Sequence, residues 1–360
     1  MELHQIAFFG ATNSGKSTLV NRLAGQAVSL VSAVPGTTTD PVRKRLELPG
    51  LGPCVLVDTA GYGDEGELGA RREALTRSVL DGTEVAVLIR SGHPADAQWE
   101  EMIRKAGIPV VVLQREDPPS GQLESLLQRI REAMPEEEHK YLTGKLVQAR
   151  DTVLLVMPQD SEAPKGRLIL PQVQVLRELL DRGCVPHCCT PESLHAAVDS
   201  LSAPPALVIT DSQVFKFVNE SIPEEWPLTS FSILLAAAKG NPEAFLQGAR
   251  AIGKLKPGDR VLIAEACTHV PNTEDIGRVK IPALLRKRVG EGLQVEVAAG
   301  NDFPEELSPY ALIIHCGACV ATATLVRSRI RKALMSGVPI TNYGMALAWL
   351  QGILGRISMP

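Results

Sequence analysis

The sequence predicts an α/β protein built from three consecutive modules, and three observations carry that expectation. A chain of 360 residues is long enough for two or three domains of the usual size of roughly 150 residues. Short apolar runs alternate with amphipathic stretches along most of it, the rhythm of strands and helices in mainly parallel sheets. A glycine-rich loop from Gly10 to Ser17 (GATNSGKS) sits between an apolar strand and a helix beginning near Lys16. Composition agrees, with 44% hydrophobic and 22% charged residues, enough apolar side chain for real cores.

Residues 1–138 form the first module, with strands expected at Ile6–Phe9, Val55–Val57, Val85–Ile89 and Val110–Leu113. Met134–Lys140, with Pro135 and three consecutive glutamates, reads as a solvated exit, and 139–150 as a linker. The second module, 151–225, predicts strands at Val153–Met157, Val185–Cys189 and Ala206–Thr210, and helices at Pro171–Asp181 and Pro191–Ser200. So small a sheet covers an open edge or face by self-association, so a homodimer through this segment is expected. The third module, 226–360, turns helical from Pro227 and returns to strands at Arg260–Ala264 and Ala311–Ile314. It ends in a helical pair near Ala321–Met335 and Met345–Leu354. The sequence shows no internal repeat and no low-complexity tract.

Several function classes are disfavoured at this stage. Lysine plus arginine total 37 against 41 acidic residues, a net charge of −4, and aromatics make up 4%. A general nucleic-acid binder needs basic grooves and stacking platforms, so no nucleic-acid partner is expected. No apolar run approaches the roughly 18 residues of a membrane span. The N-terminal stretch MELHQIAFFGATNSGKS lacks the basic segment and small-residue cleavage site of an export signal, so a reducing cytoplasm is the expected compartment. There the seven cysteines read as ligands, reactive thiols or core residues.

The loop from Gly10 to Ser17 satisfies the P-loop pattern. Its glycines Gly10 and Gly15 let backbone N–H groups turn inward around phosphate oxygens, and the following helix adds a favourable dipole. Lys16 is expected to reach the β- and γ-phosphates and the Ser17 hydroxyl to ligate Mg²⁺. Leu56-Val57-Asp58-Thr59-Ala60-Gly61 ends a strand, placing Asp58 to hold Mg²⁺ through water and the Gly61 N–H to sense the γ-phosphate. Between them lies Pro35-Gly36-Thr37-Thr38-Thr39-Asp40, where a switch loop belongs. Together these residues resemble the translation-factor-like GTPases, the group containing MnmE and Era.

That resemblance implies a nucleotide site of Gly10, Asn13, Ser14, Gly15, Lys16, Ser17, Thr18, Thr38, Asp58, Gly61 and Asp117, with Lys16, Thr38 and Gly61 at the reaction centre. Thr38 matches the magnesium threonine, and Asn13 the asparagine that holds a potassium ion, implying slow, potassium-stimulated GTP hydrolysis. The sequence departs from the group at the nucleobase motif. Gln114-Arg115-Glu116-Asp117 stands where Asn-Lys-x-Asp is usual, and only Asp117 remains to accept the paired N–H donors of guanine. The water-orienting glutamine of Ras-like proteins is also replaced, by Tyr62. Asp64, Glu65 or Glu67 are candidates for that task, against the plain alternative of solvated loop carboxylates.

The cysteines near the C-terminus form a second constellation. Glu265-Ala-Cys267-Thr-His269 follows one strand and His315-Cys316-Gly-Ala-Cys319 another. In α/β sheets ligands gather beyond the carboxyl ends of strands, so both clusters are expected in one crevice. Cys316-x-x-Cys319 leads into a helix whose N-terminal dipole favours anionic thiolates. The ligand chemistry leaves four readings open: an iron–sulfur cluster on three cysteines, a structural Cys₃His zinc site, a Cys316–Cys319 redox dithiol, and inert buried thiols.

A GTPase-type module followed by Cys267-x-His269 and His315-Cys316-x-x-Cys319 resembles the family of [FeFe]-hydrogenase maturation GTPases. The likeness extends through Pro227-Leu-Thr-Ser-Phe, Ile263–His269 and Asp275–Pro282. It implies a [4Fe–4S] cluster on Cys267, Cys316 and Cys319, with His269 and His315 as candidates for the fourth iron position or for supporting contacts. It also implies a carrier role, in which a di-iron precursor is received from radical-SAM maturases and delivered to apo-[FeFe]-hydrogenase. The competing reading is an MnmE- or Era-like GTPase of RNA metabolism with a structural zinc domain. Arg278, Lys280, Arg286, Lys287 and Arg288 form a basic stretch that either attracts an anionic partner or is a solvated helix face. His187-Cys188-Cys189 is expected on a strand whose neighbouring side chains diverge, so packing is its plainer role, as it is for Cys54 and Cys184.

Overall fold

The computed structural model describes residues 4–25, 41–63, 67–115, 123–135, 141–159, 168–266, 275–300, 302–319 and 321–360. It divides into two compact units, Met1–Glu138 and His139–Pro360. Of the expected site residues, Thr38, Asp117, Cys267 and His269 lie outside the described residues, as do Asp64 and Glu65.

The first unit runs β1 (His4–Gly10), α1 (Lys16–Leu23), β2 (Val42–Leu48), β3 (Gly52–Asp58), α2 (Glu67–Val79), β4 (Val85–Arg90), α3 (Asp96–Lys105), β5 (Val110–Gln114) and α4 (Leu123–Ala133). The sheet order is β2-β3-β1-β4-β5, parallel except for the β2–β3 pair. Strand β1 explains the layering. Ile6 and Phe8 enter one core, while Ala7 and Phe9 enter the other, so the strand reads as continuously apolar because both its faces are covered. β2 escaped the sequence reading because VRKRLEL is an edge strand with mostly solvated side chains.

The second unit contains two four-stranded sheets. One comprises β6 (Thr152–Val156), α5 (Leu170–Asp181), β7 (Val185–Cys189), α6 (Leu194–Asp199), β8 (Leu207–Thr210), α7 (Phe215–Ser221), β9 (Leu228–Ser230) and α8 (Phe231–Lys239). After α9 (Pro242–Ala251) come β10 (Arg260–Glu265), α10 (Ile281–Val289), β11 (Gln294–Ala299), β12 (Leu312–His315), α11 (Ala323–Met335), β13 (Ile340–Asn342) and α12 (Tyr343–Leu350). The sheet orders are β7-β6-β8-β9 and β11-β10-β12-β13, every pair parallel.

These orders are the same path traced twice, although the sequence shows no repeat. In each sheet the fourth strand has three residues and runs straight into a helix capped by its last side chain. Ser230 accepts from the Ile233 N–H and Asn342 from the Met345 N–H, satisfying donors a helix start leaves open. The repeat lives in topology and caps, which few residues specify.

Some boundaries differ from expectation for local reasons. Residues from Pro227 do not turn helical at once, because β9 first pairs with β8; the first of these sheets therefore extends past residue 225. The expected helix Pro191–Ser200 is a 3₁₀ turn, Pro191–Ser193, followed by α6. The last helix begins at Tyr343 and ends at Leu350. One apolar core includes Leu154, Val156 and Val208 from one sheet with Leu262, Ala264 and Ile313 from the other. That shared core makes 139–360 one compact unit.

Candidate nucleotide and metal sites

The phosphate loop is fully formed. Gly15 and Asn13 take left-handed backbone angles, φ 99° and 61°, which asparagine tolerates better than most residues. Lys16 is buried, and its ammonium donates to the carbonyls of Gly10 (2.9 Å) and Ala11 (2.8 Å) and to Ser14 Oγ (3.4 Å). Asp58, the last residue of β3, is buried and hydrogen-bonded by Ser17. Burial raises its carboxyl above the usual range, opposed by Ser17, Lys16 and Lys44. Among the described residues its Oδ1 finds no partner. A buried carboxylate oxygen without a donor, beside a serine hydroxyl, suits an oxygen-preferring cation such as Mg²⁺.

Gly61 closes the site from the other side. A Cβ there would fall 2.5 Å from Thr12 Cα, so only glycine permits this approach. The next residue pins it, since the Thr12 N–H donates to the Tyr62 carbonyl at 3.1 Å. Tyr62 does not stand in for a water-orienting glutamine. Its ring is buried and stacked on Trp99 at 5.0 Å, and its hydroxyl donates to Asp96 Oδ1 at 2.7 Å. Burial and then the Asp96 carboxylate push this hydroxyl far above its ordinary pKa, so it remains a donor. Asp96 in turn accepts the N–H groups of Ser91 (2.8 Å) and His93 (3.0 Å).

The cysteine site lies beyond β10 and β12, which pair with Ala264 opposite His315. The Cys316 sulfur accepts N–H bonds from Ala266 (3.1 Å) and Ala318 (3.4 Å). Ala266 immediately precedes Cys267 in the sequence. Cys316 and Cys319 are both free thiols, half-buried, and α11 follows, capped by Thr322 Oγ1 on the Leu325 N–H at 3.2 Å. Two thiols on one short loop at a helix start fit a thiolate-ligated metal or cluster.

His315 is held from both sides of its ring. Its ring is buried with Nδ1 2.8 Å from the Cys316 carbonyl and Nε2 3.2 Å from Arg329 Nη1. Burial, then the Arg329 charge, lowers its pKa to about 3. The partners assign a neutral ring donating from Nδ1 and accepting at Nε2, so both nitrogens are engaged and the residue braces the loop. Arg329 also donates to the carbonyls of Glu265 (3.2 Å) and Gly300 (2.5 Å). Glu265 is buried and paired with Arg278 at 2.8 Å. The basic stretch is thereby divided: Arg278 answers Glu265, Lys280 binds Gln213, and Arg288 lies over the Trp349 ring at 5.5 Å.

Lys239, Arg329 and Tyr343, which bonds weakly to Glu265 Oε1 at 3.5 Å, were missed by sequence reasoning; no spacing links them to the cysteines. Of the remaining described thiols, all but Cys188 sit as expected for packing. Cys54 and Cys184 are buried, Cys188 is exposed on the edge strand β7, and Cys189 packs on the core. No helix among the described residues is long and apolar enough to cross a membrane.

Comparison with known proteins bears on both sites. The model described as the hydrogen maturase F dimerization domain matches residues 142–240, and the hydrogen maturase F tetramerization domain matches 243–360. A model described as a 50S ribosome-binding GTPase matches 5–115. Curated relatives resemble only that GTPase part. The tRNA modification GTPase MnmE of Myxococcus xanthus (strain DK1622) is 42% identical over 111 residues, 30% of this chain and 25% of its own length. GTPase Der of Rhizobium etli (strain CIAT 652) is 34% identical over 122 residues, 32% of this chain and 26% of its own length. The chain thus spans about a quarter of the length of these relatives. Among solved structures, Era in complex with MgGDPNP and nucleotides 1506–1542 of 16S ribosomal RNA aligns with TM-score 0.34 and 16% identity, covering 53% of this chain and 93% of that one. NFeoB from S. thermophilus bound to GDP.AlF4⁻ and K⁺ aligns with TM-score 0.23 and 17% identity, covering 36% and 62%. The fold assignment rests on the family models instead. The segment expected to self-associate falls within the dimerization match. A GTPase domain followed by both hydrogen maturase F modules, which together match well over half of the chain, places this protein in the hydrogen maturase F family.

Proposed function

We propose that this chain is a GTP-hydrolysing scaffold that holds a [4Fe–4S] cluster on Cys267, Cys316 and Cys319. In this reading it carries the di-iron precursor of the hydrogenase active site from radical-SAM maturases to apo-[FeFe]-hydrogenase. One observation carries the cluster reading: the Ala266 N–H donates to the Cys316 sulfur at 3.1 Å, so the chain leading into Cys267 passes against the second cysteine. A cluster on three cysteines supplies an iron position that can accept a bridging ligand without loss of a protein–sulfur bond. With both nitrogens of His315 engaged, His269 is the favoured histidine for that fourth position.

In the nucleotide module, Lys16, Ser17, Thr18 and the loop N–H groups bind phosphate, and Ser17, Thr38 and Asp58 hold Mg²⁺. Gly61 reports the γ-phosphate, Asp117 reads guanine, and Asn13 holds K⁺. With Tyr62 turned away into the core, charge neutralisation by K⁺ is the means left for accelerating a slow hydrolysis. Faster turnover of GTP than ATP, and faster turnover in potassium than sodium, are expected; equal rates in the two salts would remove the Asn13 role.

Anaerobic reconstitution followed by iron, sulfide and zinc analysis tests the cluster. Iron and sulfide in equal amounts, lost in Cys267→Ala, Cys316→Ala or Cys319→Ala, are expected. Stoichiometric zinc without sulfide would end this reading.

A further inference from the structure

We propose that Lys239 organises the Cys316–Cys319 loop, fixing it in a metal-ready form before iron arrives and placing a positive charge beside the cluster afterwards. The inference rests on the reading of Cys316 and Cys319 as cluster ligands and concerns what prepares them. Lys239 is the last residue of α8 and is buried at 8% exposure. Its Nζ donates to the carbonyls of Ala318 (2.8 Å), Ala321 (3.0 Å) and Cys319 (3.2 Å). An ammonium carries three N–H donors and can hold several carbonyls of one loop at once. Burying an ammonium is costly unless it is hydrogen-bonded, so these contacts tie the lysine to the loop and the loop to the lysine.

The loop needs such a tie. Ala318 is a non-glycine residue in the left-handed region, φ 51°, a conformation costing about 1 kcal/mol or more that persists only when surroundings enforce it. The Ala318 carbonyl accepts from Lys239 and from the Ala321 N–H, while the Ala318 N–H donates to the Cys316 sulfur. Gly240, the next residue, packs tightly against α9 and α11, since a Cβ there would lie 2.7 Å from the Phe245 ring and 3.0 Å from Ile330. The contact also crosses the two family modules. α8 belongs to the dimerization match, where Phe231, Leu234 and Leu235 pack with Val175 and Leu179 of α5, and the cysteine loop belongs to the tetramerization match. A thiolate-bound cluster is anionic and becomes more so on reduction, so a neighbouring cation favours the reduced form.

Hydrogen exchange on the metal-free and reconstituted full-length protein, with Lys239→Met and Lys239→Gln alongside, tests this. Amides of 316–321 in metal-free wild type are expected to be protected, and Lys239→Met to exchange at least about tenfold faster there, the effect of losing two or three buried hydrogen bonds. Reconstituted Lys239→Met loses iron to a chelator faster and has a lower midpoint potential by redox titration followed by EPR. Lys239→Gln keeps donors without charge, so it retains more loop protection while its potential falls. Free-chain exchange of the wild-type loop overturns the proposal whether or not Lys239→Met folds. So does a folded Lys239→Met or Lys239→Gln with wild-type protection, iron loss and potential. A wild-type protein that takes up no iron refutes the cluster reading instead, and the exchange data still decide the role of Lys239.

Discussion

The phosphate loop and the cysteine loop are built alike and supplied differently. Each follows a parallel strand, precedes a helix, and has a buried lysine donating to loop carbonyls. Lys16 bonds Gly10 and Ala11 from within its own motif. Lys239 reaches Ala318 and Cys319 from a helix some 80 residues earlier. In the first loop the carbonyl bonds are exchangeable, because phosphate oxygens are the better partners for an ammonium. In the second they are permanent scaffolding. Lys16 can turn from its carbonyls to a bound phosphate, whereas Lys239 acts through the loop it fixes and the charge it places beside that loop.

The largest expected effect separates those roles. Lys16→Met should lower GTP hydrolysis by about a thousandfold, as expected for losing a phosphate-neutralising group, while iron and sulfide content stays at the wild-type level. A parallel loss of iron would mean that the two loops are not independent in this sense.

Next is Arg329→Met. Arg329 is 2% exposed and fastens the Glu265 and Gly300 carbonyls and His315 Nε2 at the ends of β10, β11 and β12. Leaving these acceptors unpaired should cost about 2–4 kcal/mol, read by denaturant unfolding of the unit 139–360, with nucleotide binding unchanged. A cost within about 0.5 kcal/mol of zero, as for an ordinary surface change, would show that the strand ends hold without the arginine.

Tyr62→Phe sharpens the nucleotide side. The ring stays stacked on Trp99, but Asp96 loses one donor, a destabilisation of about 1–2 kcal/mol. Because the Tyr62 carbonyl remains on the Thr12 N–H, the Michaelis constant for GTP should change less than turnover, which depends on the Gly61 turn. Steady-state kinetics distinguish the two.

What the sequence made legible follows the same division. The phosphate loop, Asp58 and Gly61 were placed by motif because their contacts are local or join adjacent strands. The position of Cys316 and Cys319 just beyond a strand was legible, and parallel sheets gather ligands at such ends. Lys239 and Arg329 were not: a buried, hydrogen-bonded cation has the same letter as a solvated one, and only tertiary packing distinguishes them. His315 was expected either at the fourth iron position or in a supporting contact, and its ring partners, a loop carbonyl and an arginine 14 residues on, were not legible from spacing. β9 and β13 were missed for another reason, because three residues are too few to show a period.

The smallest effect contrasts the two ends of one sheet. At the start of β10, Arg260 Nη2 and Nε meet Glu296 Oε1 at 2.7 and 3.0 Å, and the Tyr310 hydroxyl donates to Oε2 at 2.8 Å. These bonds hold the Glu296 carboxyl below its ordinary value of 4.5. The folded state therefore binds that proton less readily than the unfolded one, so the stabilisation is present above the ordinary value and is lost as pH falls through the folded one. Arg260 and Glu296 are about 40% exposed, so screening keeps the contribution small. Glu296→Gln should lower stability slightly at neutral pH, and the difference from wild type should shrink in acid. Iron uptake and cluster potential should not move, since the pair lies at the opposite end of the strands from the cysteine loop. A cluster that responds to this exposed pair would contradict the view that the contacts Lys239 and Arg329 make at the other end of the sheet alone prepare the site.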